Sequence, residues 1–177
     1  VFGAVYFVLR SVPTFQMVGV SGSFTAGDFI LPAIALVAGL WGGVISVLVG
    51  TILAYAIRPP IFFGLDFLPG VVSVAVMGLI LSSHRQTARL IYVAVLIAFV
   101  VSPYSLLFGY GFVPYAWLHI IGLVILLSPL VTKIPSWIAG RGLRQLSAIG
   151  GLAFMGTMAQ HLTGGLLYEL SAGYVGG

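Results

Sequence analysis

From Phe29 to Ile57 the chain runs for 29 residues without one charged side chain. A run of that length and character is expected inside a lipid bilayer, where every backbone polar group must be satisfied within its own segment and helices are the ready solution. Composition extends the argument to the whole chain: 60% of the 177 residues are hydrophobic and 6% are charged, with a mean hydropathy of +1.20, whereas soluble domains carry about 25% charged residues. The expected class is all-α, a single polytopic transmembrane helix bundle over residues 1–177. The net charge of +4 rests on seven basic residues, Arg10, Arg58, Arg85, Arg89, Lys133, Arg141 and Arg144. These form no basic stripe, which excludes a nucleic-acid partner. The absence of cysteine excludes disulfides, thiolate metal sites and cysteine nucleophiles.

Charge, proline and glycine divide the chain into six or seven segments. Val1–Val12 is expected to be the remnant of a first helix, because Val1 to Leu9 would rise only ~14 Å against ~30 Å of hydrocarbon. Phe29–Leu40 and Val44–Ile57 are either two short Gly-rich helices meeting at "GLWGG" or one bent span. Phe67–Ser82, Arg89–Phe108, Tyr115–Thr132 and Leu146–Leu170 follow. Five of the seven basic residues fall in two short connections, "SSHRQTARL" and "TKIPSWIAGRGLR", which the positive-inside rule assigns to the cytoplasm. The uncharged, aromatic-containing loops then gather outside.

In "DFILP" and "GLDFLP" an aspartate, Asp28 or Asp66, stands where an inward-running helix begins, with a proline in its first turn. Two roles are open to each carboxylate. It can cap the helix and complement its positive end, or it can meet a ligand at the external surface that both share. Ala38, Gly42, Ser46 and Gly50 form a stripe of small residues at a spacing of four. Such a stripe lets another helix approach closely, within the chain or from a docked subunit. On the last helix His161, Gly165 and Glu169 share one face, and Gln160, Gly164 and Tyr168 the adjoining one. Ionisable groups in a span commonly mark a path or a site, though a histidine bonded to a neighbouring helix fits equally. Tyr115, Trp117 and His119 open another helix from outside; an interfacial aromatic belt explains the first two and not the histidine.

Catalytic patterns are thin. "GVSG" with the later "QHLTGG" resembles the serine and histidine of rhomboid intramembrane proteases. Here, however, Ser21 leads into "GSFTAGD" rather than an apolar helix, and several helices separate it from His161. There is no G-x-x-x-x-G-K-[ST] loop, so the chain cannot drive transport with ATP by itself. No clustered spacing supports a metal site, and no cofactor is expected.

The segment "GDFILPAIALVAGLWGGVISVLVGTI" resembles the second and third helices of the substrate-binding S components of energy-coupling factor (ECF) vitamin transporters. "LDFLPGVVSVAVMGLILSSHR" resembles the helix that follows, and "GTMAQHLTGG" a last-helix pattern of some members. The resemblance implies a non-enzymatic subunit in the cell membrane that holds a small vitamin-like molecule near its external face. A membrane scaffold subunit and two ATPase subunits would be its partners. Carried onto this chain, Gln16, Ser21, Ser23, Thr25 and Asp28 would line the pocket from the first loop. Arg58, Asp66, Tyr110, Tyr115 and His119 would contribute from the other external loops, and His161 and Glu169 would form floor and rim. The rival is a non-catalytic structural subunit of a larger membrane complex, in which the small-residue stripe and external loops are contacts.

Overall fold

The computed structural model describes residues 1–16, 23–102 and 116–175, the last four of these by their backbone alone. Helices make up 78% of the structure, so the fold class is all-α. The elements run α1 (Phe2–Arg10), β1 (Pro13–Gln16), β2 (Ser23–Thr25), α2 (Gly27–Ala54), α3 (Leu68–Leu81), α4 (Arg85–Val101), α5 (Trp117–Leu127), a 3₁₀ turn (Pro129–Lys133), α6 (Ile134–Ile138) and α7 (Leu143–Val175).

The long apolar run turns at Gly39, whose φ of 68° and ψ of −166° interrupt α2. That region of backbone space is essentially reserved for glycine. Three contacts show how far the chain turns. A Cβ on Gly27 would stand 3.2 Å from the Tyr6 ring and one on Gly50 2.8 Å from the same ring, although a straight helix would separate those glycines by ~34 Å. Leu31 and Val47 both reach Gly70 of α3, and Arg58, beyond the end of α2, hydrogen-bonds Ser23, ahead of its start. The run is therefore a helical hairpin, and the two-helix alternative is the one realised. By length and hydropathy α2 would cross a bilayer as a straight rod, as would the pair Trp117–Leu127 and Pro129–Ile138, bent by 59°, if it is one span. Folded at Gly39, however, each α2 limb rises only ~18–22 Å. The two ends of α2 therefore lie at the same end of the bundle.

α3 supplies the surface on which this hairpin lies. Gly70 meets Val47, Leu31 and the Tyr6 hydroxyl near one end, and Gly78 lies so close to Leu40 at the hairpin tip that a Cβ would stand 2.7 Å from its Cα. Val74, midway, packs on Gly43. α7 covers the other side of α3, running antiparallel, with Gly156 against Met77 and Gly164 facing Pro69. α4 and α5 complete the bundle: Tyr92 packs on Gly122 and Phe99 on Gly165 of α7. The core at their junction holds the fully buried Tyr6, Ile34, Met77, Ile80, Leu126, Leu152 and Met155.

Several boundaries and elements differ from the sequence expectations. The first loop contributes a two-stranded antiparallel pair with Pro13 opposite Thr25 and Gln16 opposite Ser23. Tyr115–Thr132 is not one helix: α5 ends at Leu127 because Ser128, ahead of Pro129, is extended (ψ 155°), the conformation proline imposes on its predecessor. The basic segment after it is not a plain connection but forms the 3₁₀ turn and α6. Its neighbours explain the ordering. Arg89 donates through Nε to the Leu126 carbonyl at 3.1 Å and through a terminal nitrogen to Leu127 at 3.4 Å, while Arg85 reaches the Thr132 carbonyl at 3.3 Å. Cations on the last carbonyls of a helix satisfy groups that the helix leaves open.

The candidate binding mouth

The elements converge so that charge is sorted between two ends. Arg85, Arg89 and Lys133 lie at the end of the α2 tip, joined there by Arg141 and Arg144 at the start of α7. Asp28 and Asp66 lie at the other, together with Arg10 and Arg58. This second end collects most of the described sequence candidates.

Asp28 is not the N-cap of α2, since Ala26 holds that place. Its Oδ2 accepts from the Thr25 backbone N–H at 2.9 Å and the Thr25 hydroxyl at 3.1 Å, on the residue ahead of that N-cap. Its other oxygen accepts from Gln160 Nε2 of α7 at 2.6 Å. Asp66 likewise looks backward: it is 7% exposed, and its two oxygens accept from the backbone N–H groups of Ile61 and Phe62 at 3.0 and 3.1 Å. Arg10 donates to the Asp66 carbonyl at 3.0 Å. Both carboxylates thus tie down the loop behind them rather than the helix ahead. Beside them Tyr55, in the turn after α2, donates to the Gly64 carbonyl at 2.8 Å.

His119 is 6% exposed, and neither of its ring nitrogens has a hydrogen-bond partner among the described residues. Its ring centroid lies 5.6 Å from that of Phe99 and 6.5 Å from that of His161, and His161 in turn stacks on Phe24 at 6.2 Å and 16°. The main chain beneath is held by Tyr92, which donates to the His119 carbonyl at 2.9 Å. Four rings from α4, α5, α7 and β2 therefore form one row next to the Asp28–Gln160 pair. Higher on the His161 face, Glu169 is half-buried, and its Oε2 is buried without a hydrogen-bond partner among the described residues.

The remaining candidates are less connected. Ser23 accepts from Arg58 at 2.7 Å. Gln16 is exposed on β1, and Ser21, Tyr110 and Tyr115 lie outside the described residues. Of the small-residue stripe, Ser46 and Gly50 pack on α1, a Cβ at Gly50 meeting the Gly3 carbonyl at 2.8 Å, whereas Ala38 and Gly42 are half-buried near the tip. Sequence reasoning missed Phe24, Phe99 and Gln160 as site members. An amide deep inside an apolar helix was the one available signal, for Gln160; the phenylalanines carried none. Comparison of the chain with protein-family models, with characterised proteins and with solved structures finds no match.

Proposed function

We propose that this chain is a multi-pass cell-membrane protein of six or seven helical segments that captures a small vitamin-like molecule at its external mouth. In this reading it is the substrate-binding S component of an ECF-type transporter, not an enzyme, and a scaffold subunit and two ATPase subunits drive uptake. The observation that carries the proposal is the convergence at one end. The first loop, the 58–66 loop and three helices bring Asp28, Gln160, His161 and His119, whose ring nitrogens have no partner among the described residues, together from positions as distant as 132 residues in sequence, at the end opposite the basic loops.

Three further features support it. Large apolar side chains stand outward on several helices, among them Val37 (70% exposed), Trp41 (75%), Leu90 (70%) and Val124 (61%), a coat that suits lipid and not water. The sorting of five basic residues to one end agrees with a cytoplasmic side there. The reversal within "GLWGG" agrees with the short helix pair that the resemblance implies.

Native mass spectrometry of the full chain, purified in mild detergent, tests the reading. It should release a retained small molecule, and that compound at 100 times its dissociation constant should stabilise the protein by ~2.7 kcal/mol. A chain that is reproducibly empty, and whose melting temperature no vitamin-sized compound shifts, overturns it. The structural-subunit alternative draws on the half-buried Ala38 and Gly42; it predicts that empty chain together with co-purification of a stable membrane partner.

A further inference from the structure

We infer that the junction of α4, α5 and α7 at the mouth takes a neutral or positively charged nitrogen heterocycle, with its ring against the His119–His161 row, and disfavours carboxylate or phosphate ligands. The inference rests on the mouth being a binding site and adds the chemistry of what binds.

The first argument is an incomplete hydrogen-bond account. A neutral imidazole presents one N–H donor and one lone pair. Both of those at His119 are buried with no partner among the described residues. Buried polar groups in folded proteins are nearly always satisfied. A guest with donor and acceptor edges completes this one. Flat neighbours surround it: Phe99 at 5.6 Å and His161 at 6.5 Å, with Phe24 beyond. These spacings fall within the range at which aromatic rings attract one another, so a planar guest finds faces as well as hydrogen bonds.

The second argument is charge. The chain has seven cations in all. Five lie at the opposite end, Arg10 is committed to the Asp66 carbonyl and Arg58 to Ser23. Among the described residues no cation is hydrogen-bonded to a member of the ring row, and the two cations at this end already donate elsewhere. Carboxylates, by contrast, flank the row: Asp28 lies one bond from Gln160, the neighbour of His161, and Glu169 stands two turns above His161 on the same face, ~12 Å along the axis, with Oε2 buried and unpartnered among the described residues. A buried acceptor without a cation of its own favours a guest that brings a positive charge or an N–H.

The test uses three probes sharing one ring, 1-methylnicotinamide (cationic), nicotinamide (neutral) and nicotinate (anionic), titrated to 10 mM against the full chain in nanodiscs. The expected order of affinity has the cation and the neutral amide at least tenfold above nicotinate. Glu169→Gln should weaken the cation about tenfold and leave the neutral amide within twofold. His119→Leu should abolish binding of both, and where that variant folds poorly, the imidazole ¹⁵N resonances of His119 in the unaltered chain should shift on adding nicotinamide. Nicotinate binding as tightly as the other two, or His119 resonances that ignore a bound probe, overturns the inference and leaves the binding function standing. If all three probes fail to bind and the purified chain is also empty, both readings fall.

Discussion

Asp28 and Asp66 open the same short pattern, an aspartate ahead of an apolar helix with a proline close behind, and the fold uses them differently. Asp66 is buried and spends both oxygens on amides four and five residues earlier. Asp28 is half-buried; it spends one oxygen on Thr25 and gives the other to Gln160, on a different helix. The first is a local clasp, and the second couples the first loop to α7. A repeated motif therefore reports where loops are anchored, and only the partner reveals which anchor borders a site.

The comparison can be broken at several points. The largest effect is expected from Asp66→Ala, which orphans two amides, one of them on the buried Phe62. Thermal melting should show a loss of about 3 kcal/mol, with binding of nicotinamide unchanged in the folded fraction. A loss below about 1 kcal/mol would mean that water replaces the carboxylate and that the clasp is not structural. Next comes a double-mutant cycle on Asp28→Ala and Gln160→Leu, expected to return a coupling of about 2 kcal/mol as befits a charge-assisted hydrogen bond. The matching cycle on Asp66→Ala and Gln160→Leu should be additive within about 0.5 kcal/mol. Equal couplings would erase the distinction between the two aspartates.

Gly39→Ala addresses the reversal that brings both carboxylates to one end. At φ 68° a side chain should cost about 1–2 kcal/mol, read as a lower melting temperature, and an unchanged melting temperature would argue for a straight α2. The smallest effect is expected from Thr25→Val. It removes the 3.1 Å hydroxyl bond to Asp28 but keeps the 2.9 Å backbone bond, so a chemical or thermal melt should register about 1 kcal/mol or less.

Much of this was legible beforehand. Apolar runs, prolines and the basic connections located the longer helices, and the glycines of "GLWGG" marked the turn between α2 limbs; α6 was read as a connection, and α4 ends at Val101, short of the expected Phe108. The polar residues of the mouth were legible as a list, because histidine, aspartate and glutamate are conspicuous in so apolar a chain. Their pairings were not. Gln160 stands in the last helix with no local feature pointing to Asp28, and Phe24 and Phe99 look like any other apolar residue. The strand pair was missed because each strand is short, three or four residues, too few for an alternating pattern to emerge.

The sequence by itself determined the helical class, most of the long helices and the gathering of five basic residues in two connections, since these follow from local hydrogen bonding and from the pattern of apolar runs and charges. Only the tertiary structure decided that α2 folds back, because the choice between a bend and a reversal depends on Tyr6 and α3 filling the space between its limbs. It decided as well that Asp66 is a clasp and Asp28 a coupling, because a carboxylate takes its role from the donors that packing brings within 3 Å.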